Sequence, residues 1–309
     1  MALYIGIDVG GTTVKGALID GNGALLAEDS VPTVCGDVAQ SVVLIVGNMT
    51  ARADGAEIAG IGIGCAGMID SDAGKVVFAG NLDLKDYPLA ERVRRETGLP
   101  VKITNDANAA ALGEAKFGAG KHFKNSILVT LGTGVGGGIV IDGKLYEGYK
   151  SAGAEIGHMV IERGGDLCTC GRRGCFEAYS SATALIRRTK WAMEEDAGSQ
   201  MWTSCTSDTV SGKTAFDFAD CDLSAKQVVD WYIERLACGL VNLANIFRPQ
   251  VIMLGGGVSN QGEKLLTPLK HIFEKQLFGG TAYAPVALKI ASLGNRAGVY
   301  GAAALLFED

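Results

Sequence analysis

Two stretches of this 309-residue chain are one pattern written twice. "IDVGGTTVKGALIDG" (7–21) and "VTLGTGVGGGIVIDG" (129–143) align at a constant offset of 122. Gly10 falls on Gly132, Gly16 on Gly138, and Asp20-Gly21 on Asp142-Gly143. In each copy a β-rich run meets a glycine turn. A second β-rich run follows, then an Asp-Gly hairpin signal and a third short apolar run. Equal spacing at three landmarks predicts two similar β-meanders, and therefore two similar domains facing one another. Both glycine turns offer backbone N–H groups of the kind that cradle phosphates.

The second turn also reads G-x-G-x-x-G through Gly132, Gly134 and Gly137. A dinucleotide-binding turn needs a helix straight after it. Here "GGGIVIDGKLYEG" follows, with β-branched residues and a hairpin turn, so a nicotinamide site is rejected. "SDTVSGKT" (207–214) ends like a Walker loop but starts with Ser207 and follows no clear strand; it reads as a polar surface segment. Elsewhere the order strand, glycine turn, helix recurs. "PVKITND" reads as a strand ending at Asn105-Asp106, and "ANAAALGEAKFG" as a helix starting there. "LSAKQVVDWYIERLACGLVNLANIF" reads as a long amphipathic helix, "PQVIMLGGGVS" as a buried strand ending in glycines, and "NRAGVYGAAALLF" as a terminal helix. Active-site loops are expected at the strand ends.

The length suits two domains. A hydrophobic content of 48%, with 44 glycines, points to a compact α/β protein with many tight turns. A formal net charge of −6 argues against a nucleic-acid or membrane-surface binder. The start "MALYIGIDVGG" shows no signal peptide or membrane span, so a cytoplasmic protein with reduced cysteines is expected. The "NMT" sequon at Asn48 then carries no meaning.

Three of the eight cysteines and one of the three histidines gather in "EIGHMVIERGGDLCTCGRRGCFE" (155–177). His158, Cys168, Cys170 and Cys175 form a Cys3His set, which fills a tetrahedral zinc site completely and makes it structural. Reduced core cysteines are the plainer reading, but the stretch is Gly- and Arg-rich and lacks core periodicity. Asp106, between a strand and a helix, can act as a base or as an ordinary N-cap. Asp8, at the end of the first strand, can hold Mg²⁺ through water or simply sit in a turn. Lys15 can face a phosphate or solvent. Glu155 and Glu177 flank the metal cluster and are candidates for polar ligand recognition.

Together these residues resemble the ROK family of sugar kinases, in particular its bacterial ATP-dependent glucokinases, over essentially the whole chain. "DVGGTTVKG" resembles the family's first phosphate loop, "LGTGVGGG" the second and "MLGGGVS" the adenosine-side turn. "NDANAA" resembles the segment with the catalytic aspartate. "EIGHM" with "CTCGRRGCFE" resembles the sugar and zinc segment. The ordered set is far more specific than any one glycine loop.

The resemblance implies two similar α/β domains of the actin-like/hexokinase-type ATPase fold with an active-site cleft between them. The smaller would span 1–118, joined by a C-terminal helix at 296–309; the larger, with the zinc loop, would span 119–295. It implies ATP-dependent phosphorylation of a hexose 6-hydroxyl, with Asp106 as general base. Gly67, Asn81, Asn105, Asp106, Glu155, His158 and Glu177 would contact the sugar. Gly10, Gly11, Thr12, Lys15, Thr133, Gly134, Gly256 and Gly257 would bind ATP. Zn²⁺ would be structural, Mg²⁺ would accompany ATP near Asp8, and the protein would be a homodimer or homotetramer. Three positions depart from the pattern: Cys65-Ala66 replaces a Pro-Gly loop, no tryptophan follows Asn81-Leu82, and Ala154 precedes Glu155 where glycine is commoner. All lie near the implied sugar pocket, so N-acetylmannosamine, N-acetylglucosamine, allose and mannose stay open as substrates, as does polyphosphate as donor. A sugar-responsive repressor of this family would need a helix-turn-helix ahead of the first strand, which begins by about Leu3. A non-catalytic sugar binder would leave the phosphate loops and Asp106 without purpose.

Overall fold

The computed structural model describes residues 2–307. Residues 1, 308 and 309, which the expected bounds 1–118 and 296–309 take in, lie outside the described residues. The chain forms two compact units. The first comprises Met1–Leu128, Gly138–Ala154 and Ser292–Asp309; the second comprises Val129–Gly137 and Glu155–Ala291. This division places residues 119–128, 138–154 and 292–295 with the first unit, where the expected bounds put them with the second. Gly138 packs so closely on Ala111 and Asn108 that a Cβ there would come within 2.5 Å of the Ala111 Cβ.

The first unit begins with an antiparallel meander of β1 (Leu3–Val9), β2 (Thr13–Asp20) and β3 (Leu25–Pro32). Helix α1 (Val38–Arg52) leads into β4 (Ile58–Cys65), which pairs parallel with β1. A small antiparallel sheet of β5 (Met68–Asp70), β6 (Lys75–Ala79) and β7 (Leu84–Tyr87) follows. Next come α2 (Leu89–Thr97), ended by left-handed Gly98, then β8 (Val101–Asn105) parallel to β4, and α3 (Asp106–Phe117). The main sheet runs β3-β2-β1-β4-β8. Ile5, Ile7, Ile61 and Ile63 have no exposed surface, and they form one core with Val42, Ile45 and Met49 of α1. Each such side chain contributes about 1.5–3 kcal/mol by leaving water.

The second sheet has the same order, β11-β10-β9-β12-β13, from β9 (Ser126–Leu131), β10 (Val135–Ile141), β11 (Lys144–Tyr146), β12 (Val251–Gly255) and β13 (Ala287–Ile290). Residues of β9 and β10 contribute to both units. The repeated sequence is thus a repeated sheet. Its glycine turns close alike, with Gly10 N donating to Thr13 O and Gly132 N to Gly134 O, both at 3.0 Å. The second turn is one residue tighter. Around this sheet the second unit carries α4 (Glu177–Ser180), α5 (Ala182–Glu195), α6 (Thr214–Phe218), α7 (Leu223–Phe247) and α8 (Glu263–Gln276). Helix α7 coincides with the amphipathic run read from the sequence. Its N-cap Asp222 accepts from Ala225 N at 2.8 Å. The Walker-like stretch is turns up to the start of α6 at Thr214, with no strand before it.

The last helix, α9 (Ala297–Ala304), returns to the first unit. It lies so near the sheet that a Cβ on Gly62 would stand 1.7 Å from Ala302 O. A Cβ on Gly301 would stand 1.6 Å from Ala109 O in α3. Only glycine permits such backbone-to-backbone packing. No helix among the described residues is long and apolar enough to cross a membrane.

Candidate active site and metal centre

Within the first unit, β1, β4 and β8 run parallel and deliver Asp8, Cys65 and Asn105-Asp106 at or near their C-terminal ends. Asn105 is the N-cap of α3. Its Oδ1 accepts from Ala107 N at 2.8 Å and Asn108 N at 3.3 Å, while its Nδ2 donates to Gly67 O at 3.0 Å. The cap role weighed for Asp106 therefore falls to its neighbour, which leaves Asp106 as the first helical residue. Its Oδ1 accepts from Ala107 N at 2.9 Å. Burial pushes the Asp106 carboxyl above the usual aspartate range, against the lowering effect of neighbouring N–H groups. Asp8 is raised too, by burial first and then by the Asp106 charge, with Lys15 opposing. Lys15 is its cross-strand partner. The Cys65 thiol is pushed up to about 12 by burial and by both carboxylates, so it is neutral at physiological pH.

The first glycine turn is braced from outside. Thr33 Oγ1 donates to Gly10 O at 2.7 Å, and Thr33 N donates to Thr12 O at 3.0 Å. Asn81 packs on Gly11, whose Cβ would stand 3.3 Å from Asn81 Nδ2. Gly67 has a φ of 121°, and a Cβ there would meet Phe78 O at 2.6 Å.

Within the second unit, Ala182 N, at the start of α5, donates to Gly132 O, and Thr183 Oγ1 donates to Thr133 O, both at 2.8 Å. Gly256, with a φ of 81°, abuts Leu131, and Gly257 opens a short turn to Gln261. Glu155 is exposed and begins a one-turn helix, Ile156–His158. Gly157 there faces Val135 O, which a Cβ would approach to 2.0 Å.

The cysteine stretch folds as a two-legged ribbon, with bridges between Val160 and Cys175 and between Leu167 and Arg173. Phe176, fully buried against Gly239 of α7, and Tyr179, whose hydroxyl accepts from Asp166 N at 2.7 Å, anchor it. Ligand atoms of His158, Cys168, Cys170 and Cys175 all lie within 4.8 Å of one another. His158 Nδ1 is 3.7 Å from Cys168 Sγ, and Cys170 Sγ is 3.7 Å from Cys175 Sγ. A tetrahedron with metal–sulfur bonds of 2.3 Å has edges of about 3.8 Å. The donor set and spacing fit zinc, and Nδ1 faces the cysteines. Glu177 joins this ribbon to the second glycine turn. Its Oε1 accepts from Thr169 Oγ1 at 2.9 Å, and its Oε2 accepts from Val135 N at 3.1 Å.

Two carboxylates escaped the sequence reading. Glu114, fully buried in α3, accepts from Ala119 N at 2.9 Å and Leu293 N at 2.6 Å. Glu147 accepts from Ser71 and Thr104. Leu293, Ser71 and Thr104 lie far from them in sequence, and no local pattern marks the two carboxylates.

The repeated sheet, with its glycine turns at corresponding strand ends, is the actin-like/hexokinase-type ATPase fold. Residues 4–309 match the ROK family, and the chain belongs to it. It is 40% identical over 324 residues to a glucokinase from Streptomyces coelicolor, covering 100% of this chain and 98% of that one. A glucokinase from Halalkalibacterium halodurans is 40% identical over 307 residues, covering 96% and 93% of the two chains. The crystal structure of a ROK family glucokinase from Streptomyces griseus with glucose and AMPPNP superposes with a TM-score of 0.79 at 36% identity, covering 98% of each chain.

Proposed function

We propose that this protein is an ATP-dependent hexose kinase that converts glucose to glucose 6-phosphate. Full-length likeness to glucokinases supports the activity. The observation that carries the chemistry is Asp106: a carboxylate at a strand-to-helix junction, freed from capping by Asn105 and made more basic by burial. In this reading Asp106 takes the proton of the sugar 6-hydroxyl as that oxygen bonds to the γ-phosphorus of ATP, whose bond to the β,γ-bridging oxygen breaks so that ADP leaves. Gly67, Asn81, Asn105, Asp106, Glu155, His158 and Glu177 serve the sugar in this reading. Gly10, Gly11, Thr12 and Lys15 serve the phosphates, and Thr133, Gly134, Gly256 and Gly257 the nucleotide. Phosphoryl transfer asks chiefly for positioning and charge neutralisation, which backbone N–H groups and Lys15 provide.

Mg²⁺ with ATP would sit near Asp8, a carboxylate at the C-terminal end of β1 that faces Lys15 across the strand pair and feels the Asp106 charge. Zn²⁺ held by His158, Cys168, Cys170 and Cys175 would fix the ribbon, leaving His158 Nε2 for a sugar hydroxyl. Cytoplasmic location and assembly as a homodimer or homotetramer belong to the same reading.

The test is ADP release across a panel of hexoses. Glucose is expected to give the highest kcat/KM, with galactose poor and 6-deoxyglucose inert. N-acetylmannosamine or N-acetylglucosamine outpacing glucose would reassign the sugar. No hexose-dependent ADP release would sink the kinase.

A further inference from the structure

Residues 147–154 link β11 to the turn that carries Glu155 and His158. Their backbone is strained. Lys150, Ser151 and Ala154 have φ of 52°, 56° and 61°, and none is a glycine. Each costs about 1–2 kcal/mol in this left-handed region. Such strain persists only where the surroundings over-determine it.

What over-determines it is Glu147. Its Oε1 accepts from Thr104 Oγ1 at 2.6 Å and from Ser71 Oγ at 2.7 Å. Its carbonyl accepts from Gly153 N at 2.7 Å, which folds the segment back on itself. Ser71 N in turn donates to Ser151 Oγ at 3.1 Å, inside the strained stretch. Thr104 is fully buried and immediately precedes Asn105 and Asp106. Ser71 ends the hairpin arm whose Gly67 carbonyl receives Asn105 Nδ2. One carboxylate oxygen therefore ties together the strand end bearing Asp106, the loop bearing Gly67 and the segment from which Glu155 emerges. All of these groups up to Ala154 lie in the first unit.

We infer that Glu147 is a positioning residue for the phosphoryl-transfer reaction. It holds the strained segment, up to Ala154, in a fixed direction against the strand end that bears Asn105 and Asp106. The inference rests on the kinase reading above and adds a residue that takes no part in binding or chemistry itself. Two short bonds to a carboxylate are the stronger kind, and the effect travels through the sugar side of the site only.

The experiment compares Glu147→Ala with Glu147→Gln, which keeps a carbonyl oxygen able to accept both hydroxyls. Glu147→Ala is expected to raise the hexose KM about ten-fold, the scale set by losing a charge-assisted bond. The ATP KM should stay within about two-fold, and Glu147→Gln should lie close to the wild type in both. Ser71→Ala, which removes one donor and leaves the fold's core untouched, should fall between. Trypsin should cut after exposed Lys150 several-fold faster in Glu147→Ala, a readout that needs no activity. Equal damage to both KM values, or a glutamine variant as poor as the alanine one, would overturn the inference. So would an unchanged hexose KM or unchanged cleavage at Lys150. Wild-type protein inactive on every hexose, with the Lys150 difference intact, would instead remove the kinase reading.

Discussion

Asp106 and Asp8 show how residue environment and function pull against each other. Both carboxyls are raised above the ordinary value, mainly by burial. The folded chain thus holds these protons more tightly than the unfolded chain does. Their favourable contribution is complete below about pH 3.9 and is lost as pH rises through the folded values. Above the ordinary aspartate range that contribution is gone, and keeping the two carboxyls buried costs stability. Asp106→Asn should therefore raise Tm at pH 7–8, with the gain shrinking toward pH 4. The same change should lower kcat by about 10²–10⁴-fold, since an amide cannot take the hydroxyl proton. Turnover within a few-fold of wild type would remove Asp106 from its role, and a lower Tm at pH 7 would contradict the burial argument.

At the scale of elements, the cysteine ribbon is a short segment with little regular structure, cross-linked by backbone bonds between its two legs. Its four ligand residues are spread over only 18 positions and are already gathered. Cys170→Ala should lower bound zinc from about one per chain and raise the hexose KM more than the ATP KM. Elemental analysis finding no metal in active protein would end that account. This element was legible in the sequence because its chemistry is local: cysteines and glycines at metal-binding spacing need no distant partner. The glycine turns and Asp-Gly hairpins were legible for the same reason, as was α7 from its periodicity. The sheet of β5, β6 and β7 was not read, since strands of three to five residues carry too little alternation. Left-handed Asp83 and Asp86 there give no glycine signal. Glu114 and Glu147 stayed hidden because their roles depend on Leu293 and on Ser71 and Thr104, which the chain brings close only by folding.

At the scale of the whole molecule, α9 is the element on which the first unit closes. It buries Val299 and Ala303 against Ala17 and Ile19, while Gly62 and Gly301 let backbones meet. Gly301→Val would push its side chain into the Ala109 carbonyl, so a loss of about 3 kcal/mol or more is expected, lowering Tm by at least roughly 6 °C. An unchanged melting curve would show that α3 and α9 can separate without cost.

That closure also sets a timetable. A ribosome adding about 5–20 residues per second takes roughly 15–60 s to travel from β1 to α9. For most of that interval β1 and β4 are both made but lack α9, and the groove lined by Gly62 stays empty. The nascent sheet must be kept from sticking to its neighbours until the last helix arrives. What is made first in this chain is finished last.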